Sequence, residues 1–235
     1  MSELRSDRDV RDFIDGGWRL WDVIDADLAE GRIDEAGWYR AVQSVLVPAY
    51  LNAPTPQAQS GHSGDASSWE QGRGFIVEGI DRDGTLLDVG CANGYFMETV
   101  HVWAAASGHH VEPYGLDLSP ELVELSKKRL PDWNGRFWTG NALHWEPPFL
   151  FDFVHLQQLE YVPVNRRRQL VDHLLNRVCK AQGRLLIGPF NELAVRTATQ
   201  AALEGWGFKI AGSVQRRHRH PEVVRRLTWI DADAR

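Results

Sequence analysis

The sequence predicts an α/β protein: a seven-stranded, mostly parallel sheet with helices on both faces, an antiparallel C-terminal hairpin and a helical N-terminal extension. Three observations carry this. From Thr85 onward, strand-like runs alternate with helical periodicity, the pattern of parallel strands joined by crossover helices. The first of these runs, LLDVGCANGYFMETV over 86–100, ends in an acid and then a loop with glycines at 90 and 94. Such a loop lets something lie directly against the backbone where a strand turns into a helix. The last two runs, Phe208–Val214 and Val223–Ile230, have no helical stretch between them, which reads as a hairpin at the sheet edge.

The elements follow in chain order. Val10, Phe13, Ile14, Trp18, Trp21, Ile24 and Leu28 fall at three- and four-residue steps, one apolar helical stripe interrupted by Gly16-Gly17. A second helix is expected after Asp34 as N-cap, carrying Trp38, Val42, Val45 and Leu46 and ending near Pro48. Residues 52–68, NAPTPQAQSGHSGDASS, lack periodicity and read as a mobile loop. Ser68 with Gln71 forms a capping-box pattern that predicts a short helix from Trp69 to about Ile80. Two domains are expected: 1–68 as an extension or lid with the mobile loop 52–68, and 69–235 as the catalytic body. Further strands are expected at Thr85–Val89, Tyr114–Asp117, Arg136–Thr139, Phe151–His155 and Arg184–Ile187. Helices are expected at Asn93–Ala106, Pro120–Arg129 and Arg166–Cys179, with Ser119 as N-cap and Pro120 at the first helical position of the second.

Composition narrows the function. Of 235 residues, 43% are apolar and 25% charged, as in ordinary globular chains. No run approaches the ~18 apolar residues of a membrane helix, and the charged N-terminus does not read as a signal peptide. Two cysteines form no disulfide framework, which suits a reducing cytoplasm. Residues 1–35 hold eleven acids and five arginines, and the remainder balances at 21 of each sign, so no global positive field draws in nucleic acid. QRRHRHPEVVRR, 215–226, is a local exception with five arginines. It reads as a solvated or partner-binding face, with an RNA-binding patch as the alternative. His109, His110, His218 and His220 read as surface residues, and no Cys/His spacing suggests a metal site.

Asp88 ends the first predicted strand and Asp117 the second, where a carboxylate suits the two hydroxyls of a ribose. Gly140-Asn141-Ala142 follows the third and can offer an amide and backbone groups to a purine edge. The nicotinamide fingerprint fails: it needs glycines at 90, 92 and 95, and the residues are Gly90, Ala92 and Tyr95. Asp88-Val89-Gly90-Cys91-Ala92-Asn93-Gly94 instead resembles the Asp-x-Gly-x-Gly-x-Gly element of Rossmann-like, class I S-adenosylmethionine-dependent methyltransferases, with Ala92 in place of the middle glycine. The resemblance spans roughly 69–230. It implies that Gly90–Gly94 packs against the methionine and sugar, Asp88 lies near the ammonium, and Asp117 binds the ribose, with Glu112 as the fallback because the spacing from Asp88 is long. It further implies that Leu118 flanks the adenine and that Asn141 with Ala142 reads its edge. Cys91 at a helix start is expected to be there for its small size rather than for redox chemistry.

The implied function is transfer of a methyl group to an oxygen or nitrogen of a small organic molecule by a cytoplasmic enzyme. FDFVHLQQLEYVP, 151–163, is the segment from which a base would reach the acceptor. His155, counted also with the cofactor site, and Glu160 are the first candidates. Gln157, Gln158, Tyr161 and His62 follow, and a core role is the alternative for His155. Glu146–Phe149, EPPF, precedes the fourth strand and so is not an amino-methylation motif, and neither Cys91 nor Cys179 fits a catalytic cysteine. An RNA methyltransferase and a non-catalytic cofactor-binding protein are the other readings. The oligomeric state, homodimer included, stays open.

Overall fold

A computed structural model describes residues 19–193 and 198–233. The Val10–Trp18 part of the first predicted stripe lies outside them. What remains is α1 (Arg19–Ala29), which packs on α2 (Glu35–Leu51) through Trp21, Ile24, Trp38 and Val42. The buried Trp38 ring donates to Asp25 Oδ1 at 2.7 Å, tying the two helices. Asp34 caps α2 as predicted, accepting from Gly37 N. The helix does not stop near Pro48, however. It runs on to Leu51, and Asn52 N donates to Pro48 O at 3.1 Å. A proline removes one rung of the ladder, but the turn after it closes normally.

Helix α3 (Ala66–Arg73) starts three residues before the expected position, because Asp65 rather than Ser68 is the cap and accepts from Ser68 N at 2.8 Å. A 3-10 stretch, Gly74–Gly79, leads into β1 (Gly84–Val89). Then come α4 (Tyr95–Ala106), β2 (Val111–Asp117), α5 (Pro120–Arg129), β3 (Phe137–Thr139), β4 (Phe151–Leu156), α6 (Arg167–His173) and β5 (Cys179–Leu193). Ser119 caps α5, its Oγ accepting from Leu122 N. Helix α7 (Ala198–Gly205), not predicted, precedes β6 (Gly212–Arg217) and β7 (Val223–Asp231). Its apolar face is too slight to read from sequence, since its buried residues are Thr199 and Leu203.

The strand order is β3-β2-β1-β4-β5-β7-β6, parallel from β3 to β5, with β7 antiparallel to both β5 and β6. The seven-stranded sheet and the C-terminal hairpin are as the sequence predicts. Period-two alternation sorts the central strands onto two cores. Leu86, Phe153 and Leu186 face α4 and the 3-10 stretch, while Leu87, Val154 and Leu185 face α6. Burial on both faces explains why Leu86 to Val89 reads as a continuous apolar run broken only by Asp88. Strand order reverses beside β1, so the carboxyl ends of β1, β2 and β4 open onto a crevice.

Candidate active site

A cavity of about 1010 Å³ occupies that crevice. Its floor is the loop after β1. Gly90 has φ +81, and a Cβ there would meet nothing within 4 Å, so the backbone itself faces the open space. Ala92 also adopts the left-handed region, with φ 48, which costs an L residue about 1–2 kcal/mol. Two bonds hold it there: its N–H donates to Asp117 Oδ2 at 2.8 Å, and its carbonyl accepts from Ser126 Oγ at 2.7 Å. Asp117 also accepts from Ser119 N at 2.9 Å, so this one carboxylate braces the loop after β1 and the start of α5. Burial is the main reason its pKa rises from 3.8 to about 6; the Ser119 and Ala92 N–H groups work against the rise.

Register brings the next pair together. Asp88 and His155 are directly opposed on β1 and β4, and His155 Nδ1 lies 2.7 Å from Asp88 Oδ1. The other ring nitrogen meets Gly188 O at 2.9 Å, and Phe96 stacks on the imidazole at 4.1 Å. Both nitrogens are engaged and the residue is 1% exposed. His155 is therefore disposed to position Asp88, and both of its ring nitrogens face protein oxygens at the foot of the cavity. Glu160, the other expected base, lines a separate, smaller depression with Trp21, Asp22, Asp25 and Arg167.

Gly90, Cys91, Ala92, Asp88, Asp117, Leu118, Asn141, Ala142 and His155 all border the cavity. Asn141 Oδ1 turns back to accept from Leu143 N at 3.0 Å. Burial and the nearby Asp117 and Asp88 hold the Cys91 thiol well above its usual pKa, so it is no nucleophile. Asn93 and Gly94 do not border the cavity. A Cβ on Gly94 would come within 3.0 Å of Leu130 and 3.1 Å of Phe137, so this glycine makes room for packing beneath the loop. Asn93, fully buried, accepts from Ser60 Oγ at 2.6 Å and from Tyr95 N at 3.0 Å. It donates to Pro56 O at 3.0 Å and to Gln59 Oε1 at 3.1 Å. The segment 52–68, read as mobile, is in fact strapped onto the glycine loop, with Gln57 adding a bond to Tyr95 Oη at 2.9 Å. Glu112 is excluded as a ribose ligand: it lies opposite Thr85 near the start of β2 and pairs with Arg136 at 3.0 Å.

The opposite wall was largely illegible in the sequence. Tyr39, Val42 and Tyr50 from α2, His62 from the strap, Trp69 and Arg73 from α3, and Tyr161 all face the cavity. Burial raises the Tyr50 and Tyr161 hydroxyls, which also face each other. Burial, then Arg73 and Arg225, lower His62 to about 4. The arginine segment is a solvated face in part: Arg216, Arg217 and Arg219 are exposed, while Arg225 is half-buried, and Arg217, His218, Arg219 and Arg225 also border the cavity. The only signal for this in the sequence was the cluster of arginines itself.

A family model described as a methyltransferase domain matches residues 86–183. No curated protein matches the chain by sequence. The 1,6-didemethyltoxoflavin-N1-methyltransferase of Burkholderia thailandensis, solved with 1,6-didemethyltoxoflavin and S-adenosylhomocysteine, is similar in structure at TM-score 0.60 and 13% identity, over 85% of this chain and 90% of that one. A TehB-like SAM-dependent methyltransferase from Corynebacterium glutamicum is similar at TM-score 0.51 and 16% identity, over 82% and 98%. The [4+2]-cyclase SpnF is similar at TM-score 0.50 and 20% identity, over 72% and 71%. At these identities the structural likenesses establish the fold, and the family match covers residues 86–183. Over residues 86–183 the chain thus matches a methyltransferase domain, on a fold that it shares with solved S-adenosylmethionine-dependent methyltransferases.

Proposed function

We propose that the chain methylates an oxygen or nitrogen of a small organic molecule bound in the outer part of the cavity. The carrying observation is one continuous space of about 1010 Å³, at the top of the ~300–1,000 Å³ that small-molecule pockets span. That is room for a cofactor and an acceptor together. S-adenosylmethionine, when bound, supplies an electrophilic methyl group on a sulfonium. Gly90 permits its close approach, Asp117 would accept from the ribose hydroxyls, Asp88 would face the ammonium, and Leu118, Asn141 and Ala142 would meet the adenine. Arg73, near enough to Asp88 for the two charges to interact, would take the carboxylate.

Among the described residues, the acceptor end contains no strong base. Tyr50 and Tyr161 stay protonated, His62 is neutral and poorly basic, and His155 is committed to Asp88 and Gly188. These groups orient an acceptor by hydrogen bonding and exclude water, so positioning supplies the rate. The acceptor atom must then be nucleophilic at neutral pH without help, as an amine, an imine-type nitrogen or a readily ionised hydroxyl is. Residues 19–68 would cover this end, with α2 and the strap as its wall. The cytoplasm is the compartment we assign, in keeping with two buried cysteines that form no disulfide; no described helix is long and apolar enough to cross a membrane.

The test is mass-spectrometric detection of S-adenosylhomocysteine and of methylated product across a panel of small amines, heteroaromatics and phenols. Turnover of a panel member establishes the reading. Tight S-adenosylhomocysteine binding without any turnover leaves a cofactor-binding protein, and no binding by folded protein removes the reading.

A further inference from the structure

The ionisable side chains of the cavity wall are unbalanced: Arg73, Arg217, Arg219 and Arg225 stand against Asp88 and Asp117. His62 and His218 add no negative charge and are held neutral, each lowered to about 4 by burial and then by neighbouring arginines. The cofactor does not redress this. It brings one carboxylate together with an ammonium and a sulfonium, a net positive charge.

The hairpin shows how arginines in the same stretch are otherwise treated. Arg226 donates to Glu192 Oε2 at 2.8 Å, both residues buried, and Arg216 pairs with Glu78. Arg225, directly opposite Arg216 across β6 and β7, has no carboxylate partner among the described residues, and neither do Arg217 and Arg219. Arg225 passes over α3 at Gly72, where a Cβ would stand 3.6 Å from its Nε. That places its guanidinium next to Arg73 and His62, inside the wall. Two of the five hairpin arginines are thus neutralised within the protein, and the three that border the cavity are not. Arg217 and Arg219 are exposed, but Arg225 is half-buried with Arg219 beside it; a partly desolvated cation next to another is costly without a counter-charge, and a guanidinium fork is the group that best matches a carboxylate or phosphate.

We propose that the methyl acceptor is an anion whose carboxylate or phosphate group is held by Arg225 with Arg219, at the hairpin wall of the cavity. This rests on reading the cavity as a methyl-transfer site, and it adds the substrate class. Arg73 serves the cofactor carboxylate, and the hairpin pair serves the acceptor.

Calorimetry on protein saturated with S-adenosylhomocysteine tests this, with benzoate, benzamide and inorganic phosphate as probes. The protein is used as wild type and as Arg225→Gln, Arg225→Lys and Arg219→Gln, with folding checked by thermal melts. Benzoate or phosphate should bind and benzamide should be at least about tenfold weaker. Arg225→Gln should weaken the anion about 10- to 100-fold, the worth of hydrogen bonds to a charged group. Arg225→Lys should recover part of that loss, and S-adenosylhomocysteine affinity should not change. Preference between benzoate and phosphate distinguishes a planar carboxylate site from a tetrahedral one. Equal binding of benzamide and benzoate, anion binding indifferent to both hairpin substitutions, or no anion binding by the loaded wild-type protein overturns the proposal. Failure of wild type to bind S-adenosylhomocysteine at all is a separate result, and it sinks the underlying reading instead.

Discussion

The two ends of the cavity are built by different means. At the cofactor end the partners are backbone groups at the ends of strands and the starts of helices: Asp117 braces Ser119 N, two positions on, and Ala92 N, 25 positions back, and Gly90 exposes bare backbone at the end of β1. At the acceptor end the wall is assembled from side chains far apart in the chain, among them Tyr50, His62, Arg73, Tyr161 and Arg225. A site that recognises an invariant ligand can be made of turns and strand ends, which any parallel sheet supplies. A site for a particular acceptor needs side chains whose meeting depends on the whole fold. Asn93 is where the two ends are joined, since it sits in the glycine loop but bonds the strap.

Breaking that joint is predicted to have the largest effect. Asn93→Ala removes four hydrogen bonds around a buried group and should cost about 3 kcal/mol, roughly 6–12 °C in Tm. Protease sensitivity should rise within 52–68 while the sheet stays resistant. A melt within a degree or so of wild type would show that the strap does not depend on the loop. Next in size, Asp117→Asn keeps the shape but loses the charge, and should weaken S-adenosylhomocysteine roughly 100-fold with little change in anion binding at the hairpin. If both ligands weaken equally, the two ends are not separable.

The raised pKa of Asp117 makes a smaller, titratable version of the same test. Below about pH 6 the carboxylate is increasingly protonated, so S-adenosylhomocysteine affinity should fall roughly tenfold between pH 7.5 and 5. The stability contribution has the opposite sign. The folded pKa lies above the unfolded 3.8, so the contribution is full below that value and is lost as pH rises through about 6. His62 and His218 oppose it, because their lowered values make the unfolded chain bind more protons between 6.5 and about 4. A flat affinity profile would mean that Asp117 is not the ribose ligand. The smallest effect belongs to Ala92→Gly. Relief of the left-handed conformation is offset by about 0.5–1 kcal/mol of added chain entropy, so the melt should move by no more than about 3 °C. A large loss would show that the Ala92 methyl contributes packing that its position in the turn does not suggest.

Much of the fold was legible because it depends on local pattern. The alternation of apolar strands and capped helices predicted β1 to β5 in order, and Ser119-Pro120 located the start of α5. Where local signals competed, the reading slipped: Asp65 displaced Ser68 as the cap of α3, and α2 ran past Pro48. Pattern also could not rank residues within the loop after β1. Gly90 and Gly94 look alike in sequence, yet one faces open space and the other covers Leu130 and Phe137.

The sequence by itself determined the sheet, its switch point and the carboxylates at the ends of β1 and β2, because period-two burial and strand-end turns are set by near neighbours. Only the tertiary structure decided that His155 serves Asp88, that Glu160 turns away, and that 52–68 is strapped down. It alone set three arginines of a polar hairpin at the border of the cavity. Those outcomes depend on strand register and on long-range contacts, 67 positions for the Asp88–His155 pair and more than twice that for Arg225 over Gly72. Residue type and spacing carry no information about which distant side chains will share a wall.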